Sequence, residues 1–195
     1  MIPKLANGYH QSAVDGTETR ILDGALQSVA AGAATMDDIA ARAGVGRVTL
    51  FRRFGSKEAL LRRLYVREVE RFLARVDAAL AEVDDPADRI AEAFVACVRE
   101  GARHPLLAAV PPGAILEALA AGDPSPIELA RRFVADRLES GQEAAADLLV
   151  RLAMTYVLAP SPLVDATDEA AARLFARAYL APIATASATS APRAG

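Results

Sequence analysis

The sequence has little of the chemistry that disulfides, metals and membranes require. Its single cysteine, Cys97, excludes an internal disulfide framework, and two histidines, His10 and His104, are too few for a plausible zinc cluster. No run of 18 uncharged apolar residues occurs, which excludes a transmembrane helix, and the N-terminus lacks the pattern of a secretory signal. We therefore expect a cytoplasmic protein without a metal site, a cofactor or a membrane partner.

A recognisable catalytic set is also missing. An enzyme of the common kinds needs a nucleophile with its base, or a pair of carboxylates, and two histidines and one cysteine far apart in the chain do not supply one. An enzyme is therefore the least favoured class. Binding and interaction proteins remain.

Signals for β-strands are nearly absent. Alternating β-branched runs do not occur, and apolar residues recur at helical spacing almost throughout. We therefore predict an all-α protein of about nine helices. We divide it into a flexible arm (1–16), a three-helix domain (17–62, with its central motif at 35–54), a larger helical domain (63–181) and a disordered tail (182–195).

Two short helices are predicted to form a helix-turn-helix. Thr35 is a candidate N-cap of the first helix, Met36–Ala43, and Asp38 is its candidate partner in a capping box. Gly44 suits a left-handed turn residue, and the second short helix runs from Arg47 to Phe54. Two short helices joined by a glycine turn are typical of a helix-turn-helix.

The remaining helices are predicted from apolar stripes and from proline breaks. Ser56 is expected to cap a long helix that reaches about Val83, and a later helix is expected to end near Glu139. The last two stripes predict a helical hairpin, Ala144–Leu158 and Asp168–Leu180.

Positive charge is concentrated in one part of an acidic protein. The formal net charge is −3, to which residues 1–75 contribute +4 and residues 76–195 contribute −7. The segment Arg42–Arg63 contains seven basic residues and one acid, Glu58. Such a patch suits a phosphate backbone, although a solvated helix face is the more usual meaning of a basic run.

The helix Arg47–Phe54 has one face for packing and one for contact. At about 100° per residue, Leu50 and Phe54 share the inner face. The outer face and its flanks carry arginines, a threonine hydroxyl and apolar groups: Arg47, Val48, Thr49, Phe51, Arg52 and Arg53. Arginine pairs with guanine or phosphate, and apolar groups contact the thymine methyl, so this face suits a DNA major groove.

The stretch TMDDIAARAGVGRVTLFRRFGSKEALL, Thr35–Leu61, resembles the DNA-binding motif of the tetracycline-repressor (TetR) family of bacterial transcriptional regulators. The family pattern is close to T-x-x-x-IA-x-x-AGVS-x-x-TLY-x-x-F-x-SKE-x-L, and the resemblance covers roughly residues 16–76. It implies a TetR-like fold and a regulator, most often a repressor, that binds double-stranded DNA. The sequence departs from the pattern in having Gly46 for serine, Phe51 for tyrosine, and a short connection, AAGAAT, without the customary aromatic residue.

The resemblance implies two groups of DNA contacts. The contacts near the base edges come from the start of the recognition helix: Arg47, Val48 and Thr49. The contacts near the phosphate backbone come from Thr35, Phe51, Arg52, Arg53 and Lys57.

The resemblance also implies a homodimer that reads an inverted-repeat operator and is held by its last two helices. The candidate interface residues on that hairpin are Leu148, Leu152, Tyr156, Leu174, Phe175 and Tyr179.

A small-molecule effector is implied for the C-terminal domain. Side chains that could line its pocket are Phe94, Cys97, His104, Met154 and Tyr156. Each of them is more often a plain core residue, and Cys97 is more simply a buried inert thiol. The apolar composition favours an apolar or amphipathic effector. A helical DNA-binding or interaction module without a pocket remains the alternative, and an activator remains possible beside a repressor.

Overall fold

The computed structural model describes residues 16–32, 34–121 and 125–185, and every regular element in these ranges is helical. This confirms the all-α prediction. The predicted arm, apart from Gly16, and residues 186–195 of the predicted tail lie outside the described residues.

The first part of the chain forms a unit that we call the head, residues 16–64. Its helices are α1, α2, α3 and the first two turns of α4, with bounds Gly16–Ala30, Met36–Ala43, Arg47–Phe54 and Lys57–Ala79. The bounds of α2 and α3 are those predicted from the sequence. The helix α4 ends at Ala79, short of the predicted Val83.

Local signals fix the ends of these helices. The hydroxyl of Thr35 accepts a hydrogen bond from the Asp38 backbone N–H at 3.1 Å, which confirms the predicted cap. Gly44 ends α2 in the left-handed region, with φ of 63°. The hydroxyl of Ser56 accepts from the Ala59 N–H at 3.1 Å and so caps α4.

The helices of the head pack closely. A Cβ atom on Gly24 of α1 would lie 3.0 Å from the backbone nitrogen of Ala43 and 3.2 Å from the carbonyl oxygen of Ile39, both in α2. Only glycine permits this approach without a shift of the backbone, so the short connection after α1 is compatible with tight packing. The core of the head consists of side chains that are less than 2% exposed: Ile21, Leu22, Ile39, Leu50, Leu60 and Leu64.

The second unit, which we call the body, comprises residues 65–185. It includes the rest of α4 and the helices α5 (Pro86–Arg103), α6 (Pro105–Ala109), α7 (Pro112–Ala120), α8 (Pro126–Ala135), α9 (Glu143–Leu158), α10 (Glu169–Phe175) and α11 (Ala181–Thr185). Proline stands at the start of four of these helices, where its missing N–H carries no penalty. The predicted end of α8 near Glu139 is too late, because the helix stops at Ala135.

The end of the described chain is one continuous helical path with a wide turn in it. A π-helical stretch, Ala176–Leu180, connects α10 to α11. The helix α11 extends to Thr185, so the predicted boundary of the disordered tail at 182 is corrected.

The helices α5 and α9 pack closely in the middle of the body. A Cβ atom on Gly101 would lie 2.6 Å from Cγ1 of Val157. The buried face of α5 includes Phe94, Val95 and Val98, which pack against α9 and the last helices. The two helices form one side of the space described next.

Candidate DNA-binding surface and ligand cavity

The recognition helix α3 has a buried face and an exposed face, as the helical wheel predicts. Leu50 is fully buried, and Phe54 packs against the core of the head. Val48 is 80% exposed, an unusual position for an aliphatic side chain on a packed domain. Arg52 is also exposed, and Thr49 is half-buried.

Arg47 at the start of α3 is held in place by two neighbours. Its Nη1 donates to both carboxylate oxygens of Asp37, at 2.7 and 2.8 Å. Its guanidinium carbon lies 5.4 Å from the ring centroid of Phe51, within the range of a cation–π contact. The structure therefore brings Arg47 and Phe51 together and adds Asp37, which the sequence analysis did not select.

The other candidate contact residues lie around this helix. Arg53 is exposed, and its Nη2 lies 3.8 Å from Oε2 of Glu18 in α1. Lys57 is the first residue of α4 and is half-buried, while Thr35 is exposed at the start of α2. The backbone N–H groups at these two helix starts carry partial positive charge, which favours a phosphate.

A cavity of about 210 Å³ lies in the body. Its walls come from α4 to α9 and from the π-helical stretch, and nearly all of its lining side chains are apolar. Among the residues predicted for a pocket, Phe94, Cys97, His104 and Met154 line it.

Tyr156, the fifth predicted pocket residue, does not line this cavity. Its ring packs against Phe94 and Phe175, with centroid separations of 5.3 and 5.1 Å, and it borders a separate hollow beside the loop 159–167. The pocket prediction for Tyr156 is corrected accordingly, because the residue turns toward the aromatic cluster.

A buried polar cluster stands at the wall of the cavity. Glu68 of α4 receives Arg67 Nε at 2.9 Å, and His104 Nε2 lies 3.5 Å from its other oxygen. Arg67 also donates to Asp23 of α1 at 2.8 Å. Burial alone favours the neutral acid, but contacts with His104, Arg67 and Arg71 outweigh it and lower the pKa of Glu68.

The sequence analysis missed Arg67 and Glu68. A signal was available, because both residues follow Leu64 by one helical turn and therefore lie on the apolar stripe of α4. Charged residues on such a stripe are buried only when they are paired.

The thiol of Cys97 faces the cavity without a neighbouring base. Burial raises its pKa to about 12. The residue is thus an unreactive part of the wall, since the thiolate is the reactive form.

The candidate dimer residues fall into two groups. Leu148, Leu174 and Tyr179 are 45%, 71% and 67% exposed. The others, Leu152, Tyr156 and Phe175, are half-buried and pack against the core of the body. We call the exposed group the apolar strip, whose residues lie on α9, on α10 and on the π-helical stretch.

The membrane criterion can be applied to the helices as well. Across the described ranges, no helix combines the length and the apolar character needed to cross a bilayer.

Comparisons with known proteins agree with this geometry. Residues 21–64 match the profile described as "Bacterial regulatory proteins, tetR family". An HTH-type transcriptional regulator of Mycobacterium tuberculosis is 28% identical over 181 residues, which cover 82% of this chain and 80% of that protein.

Solved structures share the fold. The TetR family repressor AlkX from a Dietzia strain, implicated in biodegradation of n-alkanes, is 23% identical with a TM-score of 0.65, over 86% of this chain and 95% of that one. The regulator SCO7518 of Streptomyces coelicolor is 20% identical with a TM-score of 0.65, over 87% and 98%. The fold and the site define a helix-turn-helix DNA-binding transcriptional regulator. The chain belongs to the tetR family, whose members are DNA-binding proteins without enzymatic activity.

Proposed function

We propose that this regulator is a repressor that binds an inverted-repeat operator as a homodimer and is released by a small apolar or amphipathic molecule. It acts in the cytoplasm, where its operator lies. The observation that supports this most directly is the course of α4. The helix begins with Lys57 beside the recognition helix, and its later turns supply Val69, Phe72 and Val76 to the cavity wall. A ligand that shifts this wall also acts on the position of the recognition helix.

The DNA contacts in this proposal follow the exposed face of α3. Arg47 and Val48 meet the base edges, and Thr49 lies beside them. The remaining residues contact the phosphate backbone: Thr35, Phe51, Arg52, Arg53 and Lys57. The exposed Val48 supports this arrangement, because an apolar side chain at 80% exposure has a use against a thymine methyl.

The homodimer is proposed to form through the apolar strip. Large exposed apolar side chains near the end of the chain are what an interaction surface needs. A two-fold axis through the strip buries it against its own copy, as in other four-helix interfaces. The half-sites on DNA then lie about one helical turn apart.

The cavity favours a sensor over a module without a ligand. A packed core contains few empty spaces larger than a water molecule, so an apolar space of about 210 Å³ calls for an occupant. A repressor and an activator differ only in where the operator lies relative to the promoter, and we take repression as the working assignment.

The experiment that tests DNA recognition is selection of bound sequences from a random duplex pool at about 150 mM salt, where nonspecific phosphate contacts are weak. Refolding the protein from denaturant first removes any bound ligand. We expect enrichment of an inverted repeat. If folded, ligand-free protein enriches no sequence, the proposed operator binding is wrong.

The dimer is tested separately with two matched leucines. Leu148 on α9 and Leu116 on α7 are 45% and 47% exposed, but only Leu148 lies on the proposed interface. Leu148→Glu is expected to weaken the dimer in sedimentation equilibrium, because it buries an unpaired charge at the interface, whereas Leu116→Glu leaves the dimer intact. The same result for both variants would contradict the proposed interface.

A further inference from the structure

The wall of the cavity is apolar except for one group of polar side chains. Most lining side chains are hydrocarbon, and the groups able to form strong hydrogen bonds are those of Tyr65, Glu68 and His104. Glu68 and His104 are 6% and 8% exposed, so bulk water does not satisfy them. A ligand in this space therefore meets hydrogen-bonding groups at one wall and hydrocarbon elsewhere.

The two oxygens of Glu68 are used unequally. Oε1 accepts hydrogen bonds from Arg67 Nε at 2.9 Å and from Arg71 Nη1 at 3.3 Å, and it lies 2.8 Å from Arg67 Nη2. Oε2 faces only His104 Nε2 among the described residues, at 3.5 Å, the outer limit of a hydrogen bond. A carboxylate oxygen accepts two hydrogen bonds, so Oε2 retains capacity for a donor.

His104 is incompletely satisfied as well. Its Nδ1 is buried and has no hydrogen-bond partner in the described part of the chain. A buried polar group without a partner is costly, so the protein alone does not satisfy all the polar groups at this wall of the cavity.

The charges around Glu68 are already balanced. Arg67 and Arg71 carry two positive charges, and Asp23 and Glu68 carry two negative charges, within contacts of 2.8 to 3.4 Å. A carboxylate or an ammonium group entering the cavity adds a charge to a cluster whose charges are already paired. A neutral hydrogen-bond donor fits without adding a charge.

We propose that the effector is an uncharged amphipathic molecule whose hydroxyl group donates a hydrogen bond to Oε2 of Glu68, while its hydrocarbon body fills the apolar cavity. This assignment rests on the proposed sensor function and narrows its ligand to an alcohol. The cavity of about 210 Å³ has room for an aliphatic chain, and eight-carbon probes are used to test it.

Three probes of equal length test the head group on the unaltered protein. n-Octanol has a hydroxyl donor, its isomer heptyl methyl ether has an oxygen without a donor, and octanoate has a charged acceptor. Their dissociation constants are measured by titration calorimetry without DNA. We expect n-octanol to bind about tenfold more tightly than the ether, since only the alcohol hydrogen-bonds to a charged group. Octanoate is expected to bind more weakly than both.

A pair of variants then locates the contact. Glu68→Gln removes the charged acceptor and is expected to bring the octanol-to-ether ratio close to one. Met154→Leu alters the apolar wall alone and is expected to keep the ratio. Circular dichroism checks that Glu68→Gln folds. If it does not fold, the probe comparison on the unaltered protein still decides the question.

Equal binding of the alcohol and the ether, tighter binding of octanoate, or no binding of any probe would overturn the alcohol assignment. These outcomes are independent of the operator experiment. A protein that prefers n-octanol but selects no DNA sequence disproves the regulatory proposal and leaves the ligand assignment standing. A protein that selects an inverted repeat but does not prefer n-octanol disproves the ligand assignment and leaves the regulatory proposal standing.

Discussion

The head buries six large aliphatic side chains to less than 2% exposure, whereas the body packs its helices around a space of about 210 Å³. Both units use amphipathic helices with well-formed caps. In the head, Gly24 lets two helices approach to backbone contact. In the body, α5 and α9 also approach closely at Gly101, but the helices leave a cavity with a paired carboxylate, Glu68, at its wall.

The difference corresponds to what each unit must do. A surface that fits a DNA groove works only if its side chains keep fixed positions, and a close-packed core resists the deformation that would move them. A unit that responds to a ligand needs space and fewer internal contacts on that side. The four predictions below test this contrast, beginning with the largest expected effect.

The strongest test compares two leucines on the same helix. Leu60 of α4 is fully buried in the head, and Leu73 of α4 is half-buried and lines the cavity. We expect Leu60→Ala to lower the free energy of unfolding by about 2–5 kcal/mol, and Leu73→Ala by about 1–2 kcal/mol, because Leu73 already borders empty space. Urea unfolding of both variants measures the difference. Equal losses would mean that the cavity is closed in solution.

The second test uses the thiol of Cys97 as a probe of the cavity wall. With a pKa of about 12, about one thiol in ten thousand is ionised at pH 8. We expect alkylation by iodoacetamide in the folded protein to be at least about a hundredfold slower than in urea, where the pKa returns to its ordinary range. Ala81→Cys in a Cys97→Ser background is the exposed control and should react equally in both states. A fast reaction of Cys97 in the folded protein would contradict the raised pKa of this thiol.

The third test separates contacts with DNA bases, which give sequence preference, from contacts with phosphates, which give affinity for any sequence. Lys57→Ala is expected to weaken binding to all sequences and to reduce the slope of log affinity against log salt by about one unit. Arg47→Ala is expected also to relax the preference at one base pair, by about 1–3 kcal/mol. Fluorescence anisotropy with the selected operator and its single-base variants measures both effects. If the two variants leave affinity unchanged, α3 is not the recognition helix.

The smallest expected effect concerns Asp37, which holds Arg47. The side chains of Arg47 and Asp37 are 60% and 68% exposed, so the ion pair contributes less than about 1 kcal/mol to the free energy of unfolding. Asp37→Ala is expected to raise affinity for random duplexes about two- to threefold by removing a negative charge near DNA, and to reduce base discrimination because Arg47 loses its orientation. Asp84→Ala, which removes an exposed carboxylate in the turn after α4, is the control. Unchanged discrimination would mean that Asp37 does not position Arg47.

Most of the head could be predicted from the sequence because its signals are local. Thr35, Gly44 and Ser56 each fix a helix end through contacts within four residues. The bounds of α2 and α3 follow directly from them. The role of Gly24 could not be predicted, because it depends on backbone atoms about 15 to 19 positions away that only the packed structure brings near.

The polar part of the cavity could not be predicted from the sequence either, because it depends on contacts between residues that are far apart in the chain. Glu68 lies on α4 and His104 lies between α5 and α6, so their contact depends on how α4 and α5 cross. Periodicity indicates which side chains face inward, but not which inward faces meet or where they leave a space. Tyr156 is the clearest example of what periodicity does not predict. Its side chain faces inward, but it packs in an aromatic cluster and does not line the main cavity.

The π-helical turn at Ala176–Leu180 affects which side chains share the outer surface, because it contains more residues than an α-helical turn. In a regular α-helix, residues five apart differ by about 140° around the axis, so Leu174 and Tyr179 would face different directions. The wider turn of a π-helix reduces this difference, and the two side chains are 71% and 67% exposed. Deleting a single residue from this turn would rotate Tyr179 by about 100° relative to Leu174 without changing either side chain. The length of one helical turn thus decides whether these two side chains belong to one surface. An insertion or a deletion in this turn can therefore change the surface without any substitution in it.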